Sequence, residues 1–183
     1  EDLARVSRGM ARALRQGDWS HADARLGIAI AIGTVPIVIA GLAIKLFWPG
    51  YENSVLRSVS SIAVVSIVMA LLLALAEQLG RRKKQLPAVQ GADGLLVGLA
   101  QALAIIPGVS RSGSTLTASL LVGWERADAA RFSFLLGIPA ITLAGLVELK
   151  SAFAEGSAYG PLPMLLGILA AAVVSWLAIA WLL

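Results

Sequence analysis

The chain contains no cysteine, which excludes disulfides, thiolate nucleophiles and sulfur-ligated metal sites. It has a single histidine, His21, set in the polar stretch 17–24 with only Asp18 and Asp23 as metal-type neighbours. That composition reads as a loop histidine, not a ligand or a general base. Charged residues make up 14% of the chain, too few to clothe the helices of a large soluble core. No cleavable signal peptide is visible. The sequence opens at Glu1 without a methionine and stops at Leu183 with no polar flank after its last apolar run, so the expectation is a piece of a longer protein.

Against these absences stands an excess of apolar residues. They account for 58% of the sequence, and the mean hydropathy is +0.82, well above ordinary soluble domains. Uncharged runs cover 26–44, 58–76 and 156–183. A bilayer core of about 30 Å needs roughly 20 residues of apolar helix, so each run is long enough to span. The formal charge of +4 does not point to nucleic acid, because Lys and Arg gather in short stretches beside the apolar runs, as in the loops that set membrane orientation. The fold class expected is an all-α integral membrane protein, a transmembrane helix bundle with one re-entrant helical hairpin, in one membrane domain covering 1–183.

Residues 1–25 carry Arg5, Arg8, Arg12, Arg15 and Arg25 around an amphipathic stretch from Leu3 to Leu14, read as a cytoplasmic lead-in at the membrane surface. Membrane helices are expected at 26–48, 55–79, 128–149 and 163–183. Pro36 and Pro139 fall inside two of them, which a membrane helix tolerates where neighbours satisfy the freed carbonyls. Trp48-Pro49-Gly50-Tyr51 forms an interfacial turn, and Arg81-Arg82-Lys83-Lys84 closes the second helix.

The stretch 94–124 has a different pattern. Gly94 to Ile106 is apolar but only about 20 Å long at the helical rise, and Pro107-Gly108 stops it. A second short apolar piece, Thr115 to Trp124, follows a polar turn. Neither piece crosses a bilayer alone. If the pair enters and returns on one side, the basic residues of 1–25 and 81–84 share that side with Arg126 and Arg131, leaving Lys45, Arg57 and Lys150 opposite. A single crossing would move Arg126 and Arg131 outside and fits the positive-inside pattern less well. The re-entrant arrangement is therefore the expectation, with a loop around Lys150 to Tyr159 before the last helix.

Arg111 is the one basic residue within the apolar part of this hairpin. An arginine at membrane depth costs several kcal/mol, so it faces a protein interior or a watery cavity and has a partner. Around it lie Ser110, Ser112, Ser114, Thr115 and Thr117, with Gly108 and Gly113 freeing the backbone. Ser112 or Ser114 is positioned to cap the second short helix. Helix-start amides, hydroxyls and a guanidinium fork make an anion site whose geometry suits phosphate. Three readings remain open on these residues: a hydrolase, a transporter or flippase that binds a phosphorylated lipid without cleaving it, and a structural subunit in which Arg111 is paired to a carboxylate. Glu77 is expected to pair with the adjoining basic block, and Glu125 and Asp128 with Arg126 or Arg131.

The run from Gln101 to Thr115, QALAIIPGVSRSGST, resembles the second signature of the bacterial undecaprenyl-diphosphate phosphatase family, the bacitracin-resistance type. Arg131 to Pro139, RFSFLLGIP, resembles the stretch that follows it, and Gly33-Thr34-Val35-Pro36 and Ala76-Glu77 are similar to weaker landmarks. The resemblance covers the chain in order. It implies a hydrolase of polyprenyl diphosphate for cell-wall synthesis, two inverted repeats each holding a re-entrant hairpin, and a multi-pass protein of the bacterial inner membrane whose site opens to the outer face. It also implies a divalent metal, Mg or Ca, and a family whose members are often dimeric. Carried over, Arg111 holds the diphosphate, Ser110, Ser112 and Gly113 complete the cradle with Ser114 and Thr115, and Gln101 stands where the first repeat has an acidic residue. The family's first signature, a Glu-x-x-x-Glu with a serine-rich turn and a histidine, is not in this sequence. No catalytic acid, base or metal ligand is therefore assigned, and the expectation is that the chain alone lacks most of the parent activity.

Overall fold

The structure is a computed structural model that describes residues 2–81, 83–154 and 161–182. Arg82 of the basic block, residues 155–160 of the expected loop and Leu183 lie outside the described residues. Seven α-helices occur among the described residues: α1 (Asp2–Gln16), α2 (Ala22–Phe47), α3 (Val59–Leu79), α4 (Gly91–Ala102), α5 (Arg111–Leu121), α6 (Arg126–Ala154) and α7 (Pro161–Leu182). No β-strand is found there; one isolated bridge joins Lys84 to Trp124. Four helical stretches are long and apolar enough to cross a membrane, Ala22–Phe47, Val59–Leu79, Arg126–Ser151 and Leu162–Trp181. The all-helical membrane bundle follows from length and hydropathy.

The described residues fall into two compact units that part between Ile141 and Thr142. The second holds the end of α6 and α7, and none of the apolar window of α7 is buried. The first holds everything else.

Within the first unit, α1 lies on α2 through one face. Val6 and Ala13 are buried, and a Cβ added at Gly27 would sit 2.5 Å from the Met10 side chain. Arg5 reaches Asp23 at 3.1 Å, and Asp2 takes Arg131 of α6 at 2.8 Å. That ion pair holds the Asp2 carboxyl below its ordinary range, chiefly through the hydrogen bond from Arg131.

The contact between α2 and α4 is governed by small residues. A Cβ on Gly94 would stand 2.2 Å from the Ala29 carbonyl oxygen, and one on Gly98 would stand 2.3 Å from that of Gly33. Both partners advance by four residues, so the two helices run in the same direction, touching backbone to backbone. In lipid there is no water to drive helices together, and such close van der Waals approach is what holds them.

Several boundaries differ from those read off hydropathy. The lead-in is a full helix, and α2 begins at Ala22, four residues before the first long apolar run. The stretch 55–58 is not the start of α3: Tyr51–Asn53 and Val55–Arg57 are short 3-10 turns, and Ser58 caps α3 by accepting from Ser61 N at 3.2 Å. Serine clusters compete for local backbone bonds, which hydropathy does not register. The helix expected at 128–149 is α6, running from Arg126 to Ala154.

Candidate functional site

The hairpin of α4 and α5 brings the PGVSRSG segment to one end of α3. After α4 the chain tightens into a 3-10 turn at Leu103–Ile105. Ile106 is extended, as a residue before proline must be. Gly108 then adopts φ +94 with its Cα so near α3 that a Cβ would meet the Ile62 carbonyl at 2.6 Å. Two hydroxyls pin this tip. Tyr51 donates to the Ile105 carbonyl, and Ser66 Oγ donates to the Gly108 carbonyl at 3.1 Å. Tyr51 precedes α3, and Ile62 and Ser66 belong to its first turns, so the tip sits at the N-terminal end of α3.

The feet of the hairpin meet at the other end. Lys83 N and Lys84 N both donate to the Gly123 carbonyl at 2.9 Å, and Glu125 N returns a bond to the Lys84 carbonyl at 2.8 Å. Lys84 Nζ lies 2.6 Å from both Asp93 carboxylate oxygens. Asp93 also accepts from Gln90 N at 2.8 Å, half of a capping box on α4. Leu86 N donates to Asp128 at 2.7 Å, and Arg25 to the Pro87 carbonyl at 2.9 Å. One short segment thus ties together both feet, α2 and α6.

At the tip, α5 starts at Arg111 and is capped by Ser110, whose Oγ accepts from Gly113 N at 3.2 Å. The cap is therefore Ser110, not Ser112 or Ser114: those two sit inside the first helical turns, where only the residue with extended backbone before N1 can reach the amides. Ser112 Oγ lies 3.4 Å from Ser110 Oγ, and both residues are exposed. The amides of Arg111 and Ser112, the first two of the helix, have no acceptor among the described residues.

The Arg111 guanidinium crosses to α6, where Nη1 donates to the Gly137 carbonyl at 2.8 Å. Gly137 makes room for it, since a Cβ there would stand 2.7 Å from Nη1. No carboxylate pairs with Arg111 among the described residues. The side chain is half-buried and keeps four of its five N–H groups unassigned.

The remaining residues singled out in the sequence divide differently. Ser114 and Thr115 are buried, and their hydroxyls donate to the Arg111 carbonyl at 2.9 and 3.0 Å. Thr117 donates to the Gly113 carbonyl at 2.7 Å. These hydrogens are spent on the helix itself, so only the Ser110 and Ser112 hydroxyls face outward. Gln101 is fully enclosed, and neither its amide nitrogen nor its oxygen has a partner among the described residues. Glu77 pairs with Arg126 of α6. Glu125 accepts from Gln85 at 3.0 Å, and Asp128 lies 3.8 Å from Arg131. His21 stands 3.0 Å from Asp18, outside the site.

Sequence reasoning did not pick out Gly137, Tyr51 or Ser66 as partners of the turn. Gly137 lay within a stretch already noted, but nothing in its spacing marks it as the seat of a guanidinium. The Gly94-x-x-x-Gly98 spacing is a signal that was available for the close helix contact.

A match over residues 1–183 to the family model described as bacitracin resistance protein BacA places all of this in one context. The chain belongs to the BacA family. It is 83% identical over 182 residues to an undecaprenyl-diphosphatase of Synechococcus sp. (strain RCC307), covering 100% of this chain and 64% of that protein. It is 72% identical over 182 residues to one from Prochlorococcus marinus (strain MIT 9303), with 100% and 62% covered. It is likewise 72% identical over 183 residues to one from Parasynechococcus marenigrum (strain WH8102), with 100% and 64% covered. The chain thus spans a little under two thirds of the length of these relatives. Membership agrees with the resemblance carried by the PGVSRSG segment, and with four apolar spans it makes this a multi-pass membrane protein.

Among the described residues the divalent ion implied by the resemblance finds no ligand set. No group of three or more His, Cys, Asp or Glu side chains is placed to hold a metal among the described residues. The turn itself offers hydroxyls, amides and a guanidinium, a donor set for an anion.

Proposed function

We propose that the Ser110–Gly113 turn is the diphosphate-holding part of an undecaprenyl-diphosphate phosphatase, which removes the outer phosphate of the polyprenyl lipid to leave the monophosphate carrier for cell-wall synthesis. The observation that carries this reading is Arg111. It is a half-buried guanidinium at the start of a short helix, held by one backbone carbonyl, with no carboxylate among the described residues. A cation kept at such depth without a counter-charge is completed by an anionic ligand.

Chemically, cleaving a phosphoanhydride requires neutralising charge on the phosphoryl oxygens and activating a nucleophile. Arg111, the free amides of Arg111 and Ser112, and the hydroxyls of Ser110 and Ser112 serve the first need. The carboxylates Glu77, Glu125 and Asp128 are engaged at the hairpin's feet, away from the turn. The described residues therefore supply binding and orientation, and the chain by itself is expected to bind diphosphate and turn over weakly. No role is assigned to Gln101 beyond its burial beside this hairpin's core.

Orientation supports a site open to the outer face of the bacterial inner membrane. Arg81, Lys83 and Lys84 mark the hairpin's feet, and the helix-α1 arginines belong to the same end through the Asp2–Arg131 pair. Basic residues mark the cytoplasmic side, which makes the hairpin re-entrant from the cytoplasm with its tip outward.

The test is phosphate release from an undecaprenyl diphosphate analogue, with binding of that analogue measured in parallel. The 183-residue chain, a form extended to the relatives' length and the extended Arg111→Ala variant are compared. Release by the extended wild type and its loss in Arg111→Ala are expected. Tight binding that depends on Arg111 without release from any of them would replace the hydrolase by a lipid transporter. Binding indifferent to Arg111 would remove the site.

A further inference from the structure

At the opposite end of the hairpin from Arg111 lies an open hollow bordered by cations. It has a volume of about 510 Å³ and is lined by Arg81, Lys83, Lys84, Gln85, Val122 and Gly123 among others. Three of these are cations, but they are not equivalent. Lys84 is engaged by Asp93 at 2.6 Å. Arg81 and Lys83 are exposed and have no acidic or hydrogen-bonding side-chain partner among the described residues. The nearby acids do not compensate them: Asp93 is taken by Lys84, Glu125 holds Gln85 at 3.0 Å, and Glu77 holds Arg126.

The hollow stands at a definite depth. Helix α3 has 21 residues, about 31 Å at the helical rise, which matches a bilayer core. Arg81 follows it by two residues and so falls at the level of the lipid headgroups. An apolar wall descends from the hollow. Leu75, Leu79 and Leu121 are 50%, 69% and 57% exposed. The ends of α3 and α5 are in contact there, since a Cβ on Gly80 would meet the Leu120 carbonyl at 2.9 Å. Two free cations beside exposed leucines at the adjoining ends of α3 and α5 match a molecule with an anionic head and hydrocarbon tails.

We infer that this hollow binds the phosphate of an anionic phospholipid, with Arg81 and Lys83 on the headgroup and the acyl chains along α3 and the end of α5. A free phosphate ion would use the same two cations but would gain nothing from the leucine wall. The site is separate from the Arg111 turn and does not depend on its function. Because Lys83 and Lys84 also bind the Gly123 carbonyl, a lipid seated here rests on the segment that joins the hairpin's feet.

Native mass spectrometry of the 183-residue chain in detergent, titrated with phosphatidylglycerol or phosphatidylcholine, tests this. The wild type is expected to retain phosphatidylglycerol preferentially. Each basic residue near an anionic lipid surface is worth about fivefold in binding, so Arg81→Gln with Lys83→Gln is expected to lower retention about 25-fold. Arg8→Gln with Arg12→Gln, the same charge change on α1, is expected to retain the lipid. Ala88→Glu, on the hollow's exposed rim, places an anion there without touching either cation and is expected to have the same effect as the double variant. It keeps the test decisive should the double variant lose helicity. Equal retention by wild type and Ala88→Glu, or no preference over phosphatidylcholine, overturns the inference. Displacement of the lipid by millimolar inorganic phosphate would assign the hollow to free phosphate and overturn it as well.

Discussion

Gly137→Ala separates the function of the Arg111 turn from the stability of the bundle. In the structure the methyl group would stand 2.7 Å from Nη1, 3.1 Å from Cζ and 3.1 Å from Nη2 of Arg111. All three are atoms at the far end of a flexible side chain, so the guanidinium yields and the α6 backbone does not. To reach ordinary contact it must retreat by roughly 0.8 Å, given carbon contact distances of about 3.5 Å, and its bond to the Gly137 carbonyl at 2.8 Å is lost or bent. Alanine is a better helix former than glycine by about 1 kcal/mol. A hydrogen bond from a charged donor is worth about 1.5–3 kcal/mol. Exchange of that bond for another acceptor limits the net loss, so thermal stability is expected to change by less than about 2 kcal/mol. Binding is more sensitive, because a misplacement near 1 Å costs on the order of 100-fold where geometry is critical. The expected outcome is a 10- to 100-fold weaker affinity for a polyprenyl diphosphate analogue, with an unchanged helical circular dichroism spectrum and melting within a few degrees of wild type. Wild-type affinity in Gly137→Ala would refute the idea that Gly137 seats the guanidinium. A collapse of stability would show that the backbone, not the side chain, gives way.

Further outcomes follow from the same contacts. Gly94→Ala puts a methyl 2.2 Å from a backbone carbonyl that cannot swing aside; overpacking of this kind costs about 1–3 kcal/mol, seen as a lowered melting temperature in detergent. Asp93→Asn leaves Lys84 without its carboxylate in a largely buried pair, and about 3 kcal/mol should appear as faster hydrogen exchange across 84–93. Ser110→Ala removes the α5 cap at about 1 kcal/mol, with faster exchange confined to the first turn of α5. The Asp2–Arg131 pair depends on pH in a defined sense. Arg131 depresses the Asp2 carboxyl, so its contribution is present above the ordinary aspartate pKa of about 3.9 and is lost as pH falls through the lower folded value. Acidification below about pH 4 should loosen α1, read by Trp19 fluorescence, and Asp2→Asn should loosen it at neutral pH.

The sequence alone determined the class of structure and the position of the break at Pro107–Gly113 that is proposed to hold an anion. Apolar runs of spanning length can be satisfied in lipid only as helices, so 26–44 and 58–76 had no other fate. Pro107 and Gly108 could not continue a helix, and the lone arginine among serines in that break called for a partner, left open by the sequence as an anion or a carboxylate. What tertiary structure decided were the partners. Which serine caps α5 depends on where the backbone leaves the extended region, and that is set by Gly108 lying against the Ile62 carbonyl. Whether Arg111 meets a carboxylate or a carbonyl depends on which turn of α6 passes it; Gly137 is 26 residues away along the chain. The pairing of Glu77 with Arg126, 49 residues away along the chain, arises for the same reason. Hydropathy and spacing report one-dimensional regularities that the bilayer enforces on every chain, whereas contacts between distant residues arise only once the helices have packed.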